Sequence, residues 1–288
     1  MRETLRLIYS VFKVRIGLAI MLTALAGLAM TPGPSVPAWQ VLALAAAVLA
    51  SSAAAGAFNQ YVERDLDARM ARTRGRPFVT GVFRPGAPWL FGIASLLVVA
   101  VGGAALAINW VAALHVFLGA FVYGVVYTVW LKQRTAWNIV VGGLAGSFAV
   151  LAGAATVDPV PGPVPMLMAL TLFLWTPPHF WSLAMGLKKD YAAAGVPMLP
   201  VVVGDIRAAR IIFCHTVAVV AASLTPLLFG AGWIYGLAAA AGGAGFIFAS
   251  IRLLVRPDVR TAMANFHASL IQLSLLLLGA IAGHWAGA

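Results

Sequence analysis

The stretch NQYVERDLDARMARTRGRP, residues 59–77, decides how the rest of the chain is read. It lies directly below an apolar run, SSAAAGAF at 51–58, and sets Glu63, Asp65 and Asp67 within five residues of one another. Arg69, Arg72, Arg74 and Arg76 follow at once. The 288 residues contain only eight acids, so three of them crowd into one short segment. Charge this dense at the end of an apolar run marks a chain leaving a membrane. A charged residue at the bilayer centre costs about 2.5–3.5 kcal/mol on insertion scales.

Composition supports that reading. Hydrophobic residues make up 62% of the chain and charged residues 9%, against about 25% charged in a soluble domain. So few polar residues cannot cover a water-facing surface. Apolar runs of membrane-crossing length recur along the chain. They are continuous rather than alternating, which excludes a closed barrel. Nine spans are expected, near 16–32, 38–60, 88–107, 110–130, 136–156, 164–187, 207–228, 230–251 and 264–286. With the N-terminus inside, all 19 basic residues fall in inside segments and none in outside ones. Adding or removing one span breaks that alternation, so the expected orientation is N-inside and C-outside. The net charge of +11 would suggest nucleic acid in a soluble protein. Here it marks inner loops, and no nucleic-acid partner is expected. Cys214, the single cysteine, sits in an apolar run as a small hydrophobe.

The expected fold is therefore all-α: one polytopic membrane domain over 1–288. Its inner segments 61–87 and 188–206 hold Glu63, Asp65, Asp67, Asp190 and Asp205, five of the eight acids. Chemistry, if present, belongs there, with these segments capping an active site.

Asn59, Glu63 and Asp67 are spaced i, i+4, i+8. On a helix they share one face over roughly 12 Å. Oxygen donors in that arrangement suit a hard cation such as Mg²⁺, which keeps several waters and bridges to phosphate. Asp65 points elsewhere, as a solvated charge or a partner of Arg69. The bland alternative pairs Glu63 and Asp67 with Arg64, Arg69 or Arg72 at a solvated helix end. The exit from a span and the arginine run favour a metal–diphosphate site, in which guanidinium forks clamp phosphate oxygens.

A second cluster covers 175–205, WTPPHFWSLAMGLKKDYAAAGVPMLPVVVGD. Pro177 and Pro178 are expected to interrupt a span and leave backbone groups needing partners inside the protein. His179 then lies within the span, flanked by Trp175, Phe180 and Trp181. It is either a hydrogen-bonded packing residue or part of a site. Lys188 and Lys189 anchor the inner boundary. Asp190 is expected to face the first cluster and complete a two-centre metal site.

Together these residues resemble the UbiA-type membrane prenyltransferase superfamily, and within it the branch that farnesylates heme. Asn59-x-x-x-Glu63-x-x-x-Asp67 stands where the superfamily has its first acidic motif. MARTRGRP at 70–77, YTVWLKQRT at 127–135, TPPHFW at 176–181 and DYAAAGVPMLPV at 190–201 match that branch. The resemblance implies helices around a central cavity open to the inner leaflet of the cell's inner membrane. It implies farnesyl transfer from farnesyl diphosphate to a vinyl group of heme b, with addition of water and loss of pyrophosphate. It implies Mg²⁺ at Asn59, Glu63, Asp67 and Asp190. Arg72, Arg76, Lys132, Arg134, Lys188, Lys189 and Tyr191 would bind substrate, largely through the diphosphate. Tyr127, Trp175, Phe180 and Trp181 would face the allylic cation, and His179 would orient the heme or ligate its iron. Heme A synthase or terminal oxidase assembly is the implied partner. Glu63 stands where many members carry Asp, Asp190 is the second motif's only acid, and FKVRIG at 12–17 lacks a Pro beside Arg15. The rivals are a related prenyltransferase with another aromatic or tetrapyrrole acceptor, and an ion-coupled transporter. The latter calls for ionisable groups deep in several spans and an internal repeat, and neither is evident.

Overall fold

A computed structural model describes residues 2–287, with side chains from Thr4 onward. The described residues are helical, with no strand. The chain begins with α1 (Arg2–Val11), α2 (Val14–Ala29), α3 (Ala38–Val62), α4 (Arg64–Asp67), α5 (Pro77–Thr80) and α6 (Ala87–Ala107). Next come α7 (Trp110–Phe121), a π-helical continuation (Val122–Leu131), α8 (Asn138–Gly142) and α9 (Leu144–Val157). Then follow α10 (Pro163–Gly186), α11 (Lys188–Ala193), α12 (Leu199–Val203) and α13 (Asp205–Leu224) with a 3₁₀ turn (Thr225–Phe229). The chain closes with α14 (Trp233–Val255) and α15 (Val259–Ala286).

Seven of these helical segments are long and apolar enough to cross a membrane. An eighth is added if α1 and α2, bent by 46° against each other, count as one span. α10 is also 24 residues long and carries no charged residue. Its prolines and His179 lower its hydropathy below the rest. Large apolar side chains stand exposed on the outer surface, including Phe91, Leu106, Trp110, Leu228 and Trp285. An apolar exterior of that kind calls for lipid rather than water.

The expected break at Pro177 and Pro178 does not occur. α10 runs unbroken through both, although each proline removes one backbone hydrogen bond. Side chains pin the weakened turn to α15 instead. Trp175 Nε1 donates to Ser269 O at 3.0 Å, and Asn265 Nδ2 donates to Ser182 Oγ at 2.9 Å.

α2 and α9 cross at backbone contact. A Cβ on Gly153 would lie 1.8 Å from Ala24 O, and one on Gly27 would lie 2.2 Å from Val150 O. Only glycine admits so close a crossing. The Asn59–Arg76, Leu131–Asn138 and Leu187–Asp205 segments gather at one end of the bundle, joined by the contacts described next.

Candidate active site at the charged end of the bundle

α3 ends at Val62, and Glu63 caps it with φ −86° and ψ 9° before α4 begins. The i→i−4 pattern survives this interruption: Glu63 N donates to Asn59 O at 3.0 Å, and Asp67 N to Glu63 O at 2.7 Å. Asn59, Glu63 and Asp67 thus follow one another down a nearly continuous helix, as their spacing predicts. All three are buried, at 2%, 3% and 2% exposure. Asp65 is exposed, with Arg64 Nε 4.0 Å away.

Each of the three meets a cation from a different part of the chain. Lys13 Nζ donates to Asn59 Oδ1 at 2.5 Å and to Tyr123 OH at 2.9 Å. Lys132 Nζ lies 2.6 Å from Glu63 Oε2, and Arg76 Nη1 lies 2.5 Å from Asp67 Oδ2. Asn59 Nδ2 donates to Thr128 Oγ1 at 3.0 Å, which fixes the amide with its oxygen toward Lys13. Two carboxylates and one amide thus face two lysines and an arginine.

Local backbone geometry aims these cations. In an α-helix, residues five apart are about 140° apart around the axis. The π-helical stretch pairs i with i+5, and Lys132 N donates to Tyr127 O at 2.9 Å. That brings Tyr123, Tyr127 and Lys132 toward one side. The two tyrosines stack at 5.8 Å, and Lys132 Nζ lies 5.8 Å from the Tyr127 ring centroid. Asn138 Nδ2 ties the following loop, donating to Thr135 O at 2.6 Å. Lys13 occupies the break between α1 and α2 at φ 47°, the one non-glycine residue with positive φ among the described residues. Such a conformation costs on the order of 1–3 kcal/mol and persists only where the surroundings enforce it. Here Gln60 Nε2 holds Ser10 O at 2.7 Å, and Gly56 leaves room for the Lys13 side chain.

The second inner segment meets the first where Arg72 N donates to Asp190 Oδ2 at 3.4 Å and where Leu66 and Met70 share an apolar cluster with Tyr191 and Met198. Tyr191 is buried beside Arg72 and Glu63. Burial raises its phenol above the ordinary value, and the Arg72 guanidinium opposes that shift. The GVPMLP segment is ordered beneath it, with Val196 N donating to Tyr191 O at 2.9 Å.

The sequence model of the UbiA prenyltransferase family matches residues 20–278. The chain belongs to that family. It is 59% identical to protoheme IX farnesyltransferase 2 of Paramagnetospirillum magneticum over 96% of both chains. It is 48% identical to protoheme IX farnesyltransferase 1 of the same organism, over 98% of this chain and 100% of that one. A solved structure from work on digeranylgeranylglyceryl phosphate synthase in membranes superposes with TM-score 0.80 at 18% identity. That match covers 98% of this chain and 99% of the other. A UbiA homolog from Archaeoglobus fulgidus bound to DMAPP and Mg²⁺ superposes with TM-score 0.72 at 14% identity, over 93% and 98%. At those identities the two structures speak to the fold alone.

The donor set of this UbiA-family chain suits a divalent cation that keeps water or phosphate ligands. It offers one amide and two carboxylates, and Glu63 Oε1 is buried with no hydrogen-bond partner. Among the described residues, no three Asp, Glu, His or Cys side chains come together as a metal cluster. Asp190 stands at the Arg72 backbone rather than in a tight group with Glu63 and Asp67. A recess of about 280 Å³ opens beside the centre, lined by Glu63, Asp65, Arg69, Thr128 and Gln133 among others.

Several residues singled out from sequence lie away from this centre. Lys188 pairs with Asp205 at 3.0 Å. Lys189 and Arg134 are exposed. Trp181 is fully buried, edge-on to His215 at 5.0 Å. His179 packs between Trp175 and Phe266 against α15. Lys13, Tyr123 and Thr128 went unrecognised because each belongs to an apolar segment with no acidic neighbour in sequence. The clue was in FKVRIG. Without a Pro there, Lys13 itself makes the bend and reaches the site, while Arg15 is exposed.

Proposed function

We propose that the chain transfers a farnesyl group from farnesyl diphosphate to a vinyl group of heme b, with addition of water, giving heme o and pyrophosphate. This is the reaction of a protoheme IX farnesyltransferase, the name carried by relatives 59% and 48% identical to the chain. The observation that carries the diphosphate half is the triple pairing at the bundle end. Asn59, Glu63 and Asp67 are buried, and each is met by Lys13, Lys132 or Arg76.

The chemistry needs the allylic carbon–oxygen bond to break, which requires stabilising the negative charge of the leaving group. Lys13, Lys132 and Arg76 would turn from Asn59, Glu63 and Asp67 to the diphosphate oxygens, with Arg72 adding a further guanidinium. Asn59, Glu63 and Asp67 would then hold Mg²⁺, with Asp190 approaching through the Arg72 loop. Bound there, Mg²⁺ neutralises phosphate charge. A structural neighbour holds DMAPP and Mg²⁺, which supports the same pairing here. The stacked Tyr123 and Tyr127 rings sit beside this charge. Their faces would attract the developing allylic cation by about 0.5–2 kcal/mol each.

In this reading nine spans cross the inner membrane, N-terminus inside, with α10 as one of them and α1 lying ahead of α2. The charged end faces the cytoplasm, capped by 61–87 and 188–206. Lys188, Lys189 and Arg134 then meet substrate only as it enters. The product passes to heme A synthase or to oxidase assembly. The test is mass analysis of hemes extracted from cells with and without the chain. A species heavier than heme b by one farnesyl unit plus water is expected. Its absence, with the protein inserted and heme b and farnesyl diphosphate present, would refute the reading.

A further inference from the structure

A second polar centre lies inside the bundle, on α10 and α15, and shares no hydrogen bond with Asn59, Glu63 or Asp67 among the described residues. On α15, Asn265, Ser269 and Gln272 fall on one face, and each is 0% exposed. α10 presents His179, Trp181 and Ser182. Asn265 Nδ2 donates to Ser182 Oγ at 2.9 Å, and Ser182 Oγ donates to Pro178 O at 2.6 Å. Asn265 Oδ1 is buried without a partner, as are Trp181 Nε1, one residue before Ser182, and both amide atoms of Gln272, one turn beyond Ser269 against Gly242 of α14. Each orphan costs about 1–3 kcal/mol, and no bulk water reaches a bilayer interior to relieve it. Ordered water that makes two to four hydrogen bonds is the ordinary remedy at such a place.

His179 stands beside these groups in one defined state. Its ring is sandwiched by Trp175 at 4.2 Å and Phe266 at 4.6 Å, which fixes its plane. Its Nδ1 lies 2.7 Å from Ser269 Oγ. Ser269 Oγ donates its single proton to Phe266 O at 2.6 Å. It can therefore only accept from His179, so Nδ1 carries the hydrogen. The neutral ring then has its lone pair on Nε2, which makes no hydrogen bond among the described residues.

We propose that this array holds ordered water inside the bundle, and that His179 Nε2 takes the proton from the water that adds to the acceptor's vinyl group. The inference rests on the heme-farnesylating reading above, whose reaction consumes one water in an otherwise apolar chamber. The vinyl π pair forms the new bond between its terminal carbon and the first farnesyl carbon. The electron pair of the broken carbon–oxygen bond leaves with pyrophosphate. The inner vinyl carbon is left electron-deficient, and the water oxygen bonds to it. The O–H bond breaks, its electron pair stays on oxygen, and its proton passes to Nε2. Asn265 and Gln272 act as positioning residues, holding the water rather than reacting.

The experiment compares heme products of the parent with those of His179→Ala, Asn265→Leu and Ser269→Ala in detergent-purified protein. Heme b and farnesyl diphosphate are supplied, and products are resolved by mass. The parent gives the hydroxylated product. His179→Ala is expected to lower its rate by about 10²-fold or more, the usual worth of a general base. Its remaining product shifts toward a species lighter by one water, formed when the cation loses a carbon-bound proton instead. Asn265→Leu and Ser269→Ala shift the same ratio less strongly, and KM for farnesyl diphosphate stays at the parent value. A merely structural role would lower total turnover without changing the product ratio. If His179→Ala does not fold, the ratio in the two α15 variants decides. Hydroxylated product alone from every folded variant overturns the proposal. A parent that farnesylates nothing refutes instead the reading on which it rests.

Discussion

Lys132→Met is the sharpest probe of the charged end. Lys132 Nζ lies 2.6 Å from Glu63 Oε2, and the side chains are 12% and 2% exposed. At an effective dielectric of about 20, that separation corresponds to about 6 kcal/mol of gross attraction. Desolvation of both ions offsets most of it, so the pair contributes little net stability. Removing one partner is different, because the carboxylate stays buried and uncompensated, at a cost of about 3–5 kcal/mol. Methionine fills nearly the same volume and keeps contact with the Tyr127 ring, so lost packing adds little. Glu63→Met alone should cost a similar amount, by stranding the ammonium. The double variant Glu63→Met/Lys132→Met should return to within about 1 kcal/mol of the parent, because an apolar pair needs no compensation. Denaturant unfolding in detergent micelles, followed by the fluorescence of the nine tryptophans, measures all four corners of the cycle. Turnover should be lost in all three variants, so the double variant would be stable yet inactive. A Lys132→Met protein as stable as the parent, with no coupling across the cycle, would refute the buried ion pair and the site built on it.

Asp67→Asn should insert and fold but lose most turnover, because it removes a charge from the proposed metal face. Full activity at limiting Mg²⁺ would sink the metal assignment. Gly153→Ala would place a methyl 1.8 Å from Ala24 O. It should destabilise by at least the 1–3 kcal/mol typical of overpacking, and an unchanged melting profile would contradict that backbone crossing. At the start of α15, Asp258 accepts from Thr261 N at 2.8 Å. That bond, chiefly, holds its carboxyl below the ordinary carboxylate value. A depressed carboxyl stabilises the fold above its unfolded value and loses that contribution as pH falls. The amide-exchange protection factor at Thr261 should therefore fall on acidification below the ordinary carboxylate range, and Asp258→Asn should blunt the change.

Much of the site could be read from residue spacing. Asn59, Glu63 and Asp67 are local to one helix, and helical periodicity survives the interruption at Glu63. Their burial could not be read that way, because spacing sets only a shared face and the helices packed around it withdraw that face from water. The behaviour of Pro177 and Pro178 was not legible. A proline pair weakens a helix locally, but Trp175–Ser269 and Ser182–Asn265 contacts tie α10 to α15 across 94 and 83 residues of chain. The partners of the acids were equally hidden. The solvated-end alternative offered Arg64, Arg69 or Arg72 to Glu63 and Asp67, whereas Lys132 and Arg76 take those places.

The sequence by itself determined that the protein is a bundle of apolar helices with its charges on short connecting segments. It also determined that one helix ends in a row of oxygen donors. Those facts follow from hydropathy and from a period of about 3.6 residues, both properties of the chain over a few turns. Tertiary structure alone decided which cations face those donors, that a π-helical stretch aims Lys132, and that a left-handed Lys13 replaces the missing proline bend. It also decided that His179 meets Ser269 rather than the acidic end. The Lys13–Asn59, Lys132–Glu63 and His179–Ser269 pairings join residues 46 to 90 positions apart. At such separations no local periodicity operates, and only the packing of helix on helix selects the partner.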